Sequence, residues 1–129
     1  MRLLLDSNIV VPVVRGERDK LAAQVNLLFS IPANDVFVSV ASVWEIAIKV
    51  RLGKLVLKSP LLQLPDTVAS YGCTILPIDQ RHAVEDLVEQ PNTNDPFDRI
   101  LLAQCQVEGM RLVTTDRVLQ RHPLAWRPV

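Results

Sequence analysis

Three observations predict an α/β fold with a central, mostly parallel sheet of four to five strands covered by helices on both faces. Short apolar segments alternate with segments of helical periodicity along the chain. The short segments are rich in leucine, valine and isoleucine, as expected of strands buried on both faces. Acidic or hydroxyl residues stand where helices would begin, and glycine where they would end.

The elements follow in order. Arg2 to Leu5 reads as a buried strand that runs into a polar loop at Asp6-Ser7-Asn8. Leu21, Val25, Leu28 and Phe29 recur at helical spacing until Pro32 to Asp35 breaks the pattern. Val36 to Val40 is β-branched and feeds a helix on which Ser42 and Glu45 have capping-box spacing. This helix is apolar over much of its circumference, which predicts burial, and Gly53 caps it. Pro60 to Tyr71 predicts a helix, Thr74 to Ile78 a strand, and Asp79 to Glu89 a helix capped by Asp79. Pro91 to Asn94 is a loop by composition. Asp95-Pro96 opens a helix that reaches Glu108 and stops at Gly109, because proline in the first helical position gives up an N–H that has no partner there. Arg111 to Thr114 predicts a strand, Thr115-Asp116 a short last helix, and Leu124 to Val129 an edge strand that tolerates Pro128.

A length of 129 residues suits one domain spanning 1–129, and 49% hydrophobic residues supply a real core. The 14 basic and 14 acidic residues cancel, so any contact with nucleic acid must come from a local patch. The run Leu3-Leu4-Leu5 is too short for a signal-peptide core, and no stretch approaches the roughly 20 apolar residues of a membrane span. The expectation is a cytoplasmic protein. Cys73 and Cys105 lack metal or redox spacing and read as buried free thiols.

In an open parallel sheet, residues just beyond the carboxyl ends of different strands converge. Asp6, Glu45, Asp98 and Asp116 all follow predicted strands or begin predicted helices at that edge. Gathered carboxylates raise one another's pKa unless a cation neutralises them, and oxygen-only ligation favours Mg2+, with Mn2+ as a substitute. Such an ion activates water and stabilises charge on a scissile phosphate, so phosphodiester hydrolysis fits. Each acid also has a structural reading of comparable weight. Asp6, Asp95 and Asp116 are potential caps, Glu45 can pair with Ser42 or with Lys49 at i+4, and Asp98 suits a helix dipole.

Two segments add specificity. S-V-W-E-I-A-I-K-V-R-L-G-K-L from Ser42 to Leu55 and D-P-F-D-R-I-L-L-A-Q from Asp95 to Gln104, with L-V-T-T-D ending at Asp116, resemble PIN-domain proteins. Within that superfamily the chain is similar to VapC-type toxins of prokaryotic toxin–antitoxin pairs, over nearly its full length. The resemblance implies a three-layer α/β/α fold and a metal-dependent endoribonuclease partnered by an antitoxin and itself a homodimer. It carries the family's acids onto Asp6, Glu45, Asp98 and Asp116, with Asp6 and Asp98 as first metal ligands and the other two as ligands or bases orienting water. It also marks Asn8, Thr114 and Thr115 as supporting residues. Relatives often carry histidine or a basic residue where this chain has Thr93-Asn94.

Asp95 is weighted toward capping, and Arg99 toward pairing with Asp98, with substrate or within the structure. Lys49, Arg51, Lys54 and Lys58 divide evenly between RNA phosphates and a solvated face. His82 and His122, placed on separate helices, are weighted against catalysis, and Trp44 toward the core. Two other functions stay open. One is phosphoryl transfer through an aspartyl-phosphate on Asp6, weakened by the lack of an acid two residues on; the other is an inactive PIN-like RNA-binding module.

Overall fold

The computed structural model describes residues 1–128. Its sheet is wholly parallel, with β1 (Arg2–Leu5), β2 (Asp35–Ser39), β3 (Thr74–Leu76) and β4 (Arg111–Val113) arranged in the order β3-β2-β1-β4. Seven α-helices accompany it among the described residues: α1 (Ser7–Val14), α2 (Ala23–Leu28), α3 (Val40–Arg51), α4 (Leu64–Ser70), α5 (Gln80–Val84), α6 (Pro96–Glu108) and α7 (Arg117–Gln120). Alternation along β1 divides the core. Leu3 and Leu5 pack on one face with Ile9, Val10, Ile46, Leu64 and Val68, whereas Leu4 packs on the other with Leu101, Leu102, Cys105 and Leu119. Helices on both faces of a buried sheet make three layers, α/β/α, as predicted.

Four local expectations change. The stretch after β1 is a helix rather than a loop, with Asp6 as its N-cap and Pro12 inside it. The helix after β2 starts earlier: Ser39, not Ser42, is the cap, and its hydroxyl accepts from the Ala41 N–H at 3.0 Å. The C-terminal segment adds no fifth strand among the described residues. It makes one parallel bridge, Leu112 to Ala125, because only the backbone around Leu112 meets it; Val129 lies outside the described residues. Finally, α5 stops at Val84, well short of Glu89.

Ser39 is fully buried, and Ser42, also buried, has a hydroxyl without a hydrogen-bond partner. Ser39→Ala is therefore expected to cost about 1 kcal/mol in urea denaturation, the usual worth of a cap. Ser42→Ala is expected to be neutral or stabilising, since it removes an unsatisfied buried polar group. A larger loss from Ser42→Ala than from Ser39→Ala would place the cap at Ser42 instead.

Candidate active site

The strand order reverses direction at β1, since β2 and β3 lie on one side of it and β4 on the other. A crevice therefore opens beyond the carboxyl ends of β1 and β4. Asp6 leaves β1 on one side of that crevice, and Thr114 to Asp116 leave β4 on the other. Glu45 lies in the second turn of α3, behind β2, and Asp98 in the first turn of α6.

Asp6 is 4% exposed, and both of its oxygens are held. Oδ1 accepts the Ser7 N–H at 2.7 Å, and Oδ2 accepts the Thr114 hydroxyl at 2.7 Å. Burial pushes its pKa up, the two hydrogen bonds oppose that rise, and the charges of Glu45 and Asp116 add to it. Thr114 is a bridge: its oxygen also accepts the Asp116 N–H at 3.0 Å. Asp116 caps α7 with Oδ1, which accepts from Val118 and Leu119 N–H groups. Capping and site geometry thus coexist in Asp6 and Asp116, because a cap uses lone pairs of one oxygen only.

Glu45 accepts the Ser7 hydroxyl at 2.6 Å and pairs with Lys49 at 3.5 Å, its i+4 neighbour. Ser7 was not singled out in the sequence, although hydroxyl residues beside a first-strand acid are a usable signal. Asp98 accepts the Thr93 hydroxyl at 3.2 Å, and Thr93 also takes the Asp95 N–H. The Thr93-Asn94 departure noted above therefore supplies a carboxylate support rather than a positive charge. Burial first, then the charge of Asp95, then those of Asp6 and Asp116, raise Asp98 to about 6 despite the Thr93 bond. The charges of Glu45 and Asp116 act on Asp6, and those of Asp6 and Asp116 on Asp98, so Asp6 is the acid linked electrostatically to each of the others.

Other predicted residues resolve individually. Asp95 is the cap of α6, accepting from Phe97 and Asp98 N–H groups. Arg99 donates to the Thr93 carbonyl and the Gln90 amide oxygen, bracing the 90–93 loop rather than pairing with Asp98. Asn8 is exposed and shares a shallow hollow with Ser7, Lys49 and Lys54. Thr115 is exposed, and its side chain has no hydrogen bond among the described residues. His82 and His122 are buried with both ring nitrogens engaged, His82 on α5 and His122 in the turn beyond α7 rather than on a helix. Both cysteines are buried and free.

Trp44 is a correction. It is 60% exposed, and its ring meets Phe97 edge-to-face at 5.6 Å. The core side of α3 is set by Ser42 and Ile46, and Trp44 stands two residues, roughly 200°, from each.

The donor set tests whether a cation fits. Four carboxylates face one lysine, and every side-chain donor is a hard oxygen, which suits Mg2+ or Mn2+ and disfavours softer ions. Without an ion the four acids stand further apart than direct ligation requires; among the described residues the one group whose ligand atoms lie within 4.8 Å of one another is Asp79, His82 and Glu108. It lies at the opposite sheet edge, where Arg2 of β1 donates to the Glu108 carbonyl, and Arg81 already bridges its two carboxylates.

The PIN domain family model matches residues 3–123. The chain belongs to the PIN domain family. No curated protein matches it in sequence. Among solved structures it is similar to a chain of VapBC2 from Rickettsia felis, crystallised bound to a DNA fragment from their promoter. That likeness has a TM-score of 0.62 at 16% identity and covers 97% of this chain and 96% of the other. PIN domains are generally nucleases, which supports a nuclease here.

Proposed function

We propose that this PIN domain is a divalent-metal-dependent endoribonuclease, the toxin of a toxin–antitoxin pair, acting in the cytoplasm as a single domain. The observation that carries the reading is the convergence of Asp6, Glu45, Asp98 and Asp116 on the crevice between β1 and β4. The resemblance to VapC-type toxins and the likeness to a chain of VapBC2 support an antitoxin partner. The resemblance also implies a homodimer, and exposed Val40 and Trp44 on α3, with Leu52 just beyond its end, offer it an apolar surface.

Asp6 and Asp98 would hold Mg2+ or Mn2+, with Glu45 and Asp116 completing the set. The bound ion would supply electrostatic stabilisation of the scissile phosphate and activation of water. The chain's own residues do the positioning. Ser7 and Thr114 fix the carboxylates of Glu45 and Asp6, so that little reorganisation is needed when substrate arrives. Glu45 or Asp116 accepts the proton of the attacking water.

The test is cleavage of RNA by the purified chain, freed of antitoxin, with Mg2+ or Mn2+ and with EDTA. Cleavage that needs either metal supports the reading. RNA bound but uncut under both metals would leave an inactive binding module instead.

Thr114→Val removes the hydroxyl that orients Asp6 and takes the Asp116 N–H, while keeping the side-chain shape. A loss of roughly 10- to 100-fold in apparent metal affinity is expected. It should appear as cleavage recovered at high metal, with Thr114→Ser close to wild type. An unchanged metal titration would remove Thr114 from the site.

A further inference from the structure

We infer that Arg117, Arg121 and Arg127 form a cradle for backbone phosphates of the single-stranded substrate, on the Asp116 side of the acidic crevice. The three arginines and Gln120 line one open hollow of about 580 Å³. All three are exposed, and none forms an ion pair among the described residues. Three guanidinium groups without a counter-charge repel one another, and of the three only Arg127 donates to the fold among the described residues, to carbonyls at the end of α7.

The hollow is tied mechanically to the site. Arg127 donates to the Gln120 and His122 carbonyls at 2.9 and 3.3 Å, which fixes the direction of its guanidinium. The Gln120 amide donates to the Thr114 carbonyl at 3.0 Å, and the Thr114 hydroxyl holds Asp6. Arg117 directly follows Asp116 in the chain. A phosphodiester reacting at the acids would therefore carry its neighbouring phosphates toward this cluster. Guanidinium forks match phosphate oxygens in pairs of hydrogen bonds, and several cations in one hollow suit a polyanion of regular charge spacing. The chain carries no net charge, so a local patch is what a nucleic-acid partner requires. Charge patterning along the sequence pointed instead to the lysines and arginine after Glu45; Arg117 on α7 and Arg121 at its C-cap share a face at i and i+4, and Arg127 joins them only when the chain turns at His122.

The inference rests on the nuclease reading for the identity of the strand, and its test separates the two. Binding of a fluorescein-labelled, mixed-sequence, single-stranded RNA is followed by anisotropy in the Asp98→Asn background, with and without Arg117→Gln and Arg121→Gln together. The double change is expected to weaken binding about tenfold near 0.1 M salt. It should also make the slope of log affinity against log salt shallower by about 1.4, from two lost contacts at about 0.7 each. Arg117→Lys with Arg121→Lys should keep most of the slope. In the active chain, the glutamine pair should lower kcat/KM by a similar factor, and thermal melting should be no lower than wild type once the repulsion is relieved.

Unchanged affinity and slope would overturn the cradle, including the case in which the same changes weaken binding of an acidic peptide instead. If the wild-type chain cleaves no RNA and the slope still depends on these arginines, the cradle stands and the nuclease reading falls. If RNA is cleaved and the arginines are without effect, the reverse holds.

Discussion

Asp98→Asn is expected to abolish RNA cleavage and, in EDTA above about pH 6, to raise the melting temperature. Burial and the neighbouring acids push the Asp98 carboxyl up to about 6, well above the ordinary aspartate range. A raised acid pKa means that the folded state binds the proton more tightly than the unfolded state. Stability from this group is therefore complete below about pH 4 and is lost as pH climbs from about 4 to about 6. Two pKa units correspond to at most about 3 kcal/mol, and partial exposure of the carboxyl reduces this to about 1 kcal/mol. Asparagine removes that penalty and still accepts the Thr93 hydroxyl through its carbonyl, so a rise of a few degrees follows at pH 7.5. Magnesium reverses the order. An ion at a hundred times its dissociation constant stabilises the folded state by about 2.7 kcal/mol, and the variant forfeits most of this. Wild type should overtake the variant as magnesium is added, and its metal affinity should fall about tenfold per pH unit below about 6. A variant that melts lower than wild type in EDTA would make Asp98 a structural residue.

This opposition between stability and function also explains what the sequence revealed and what it withheld. The sheet was legible because Leu3 to Leu5 and Val36 to Val38 are apolar runs with no competing helical period. The helix α6 was legible because Asp95, Pro96 and Gly109 mark its ends chemically, and Gly109 takes φ 68°. The helix α1 was hidden by Pro12, which removes an internal N–H, and by the β-branched run around it. Ser42 imitated a cap because spacing alone does not show which serine precedes the first helical turn. Trp44 was misplaced because an apolar helix with several mixed faces leaves its buried side undetermined. The four acids were proposed from strand-end geometry and resemblance, and the structure places Asp6 and Asp116 beyond β1 and β4, Glu45 on α3 and Asp98 at the start of α6. Their supports were harder to find, since Ser7 to Glu45 and Thr114 to Asp6 span 38 and 108 residues, distances over which no local pattern reports.

The largest single loss is expected from Asp6→Asn, on the order of 1,000-fold or more in the single-turnover rate of RNA cleavage. The substitution leaves the local scaffold intact. The asparagine carbonyl can still accept the Ser7 N–H and cap α1, and its amide can donate to the Thr114 oxygen once that hydroxyl proton turns away. What disappears is a negative charge that burial disfavours and that Glu45 and Asp116 repel. The metal-free variant should therefore melt at or above the wild-type temperature, with the far-ultraviolet spectrum unchanged. Magnesium should no longer shift its melting, because the ion loses its most deeply buried candidate ligand. Asp6→Ala separates the cap from the charge: it loses both, so it should be as inactive as the asparagine variant but about 1 kcal/mol less stable than it. Cleavage within tenfold of wild type in Asp6→Asn would transfer the metal to the other acids. A large drop in the melting temperature of Asp6→Asn, which keeps the cap, would show that the buried charge stabilises the fold and would overturn the expected gain.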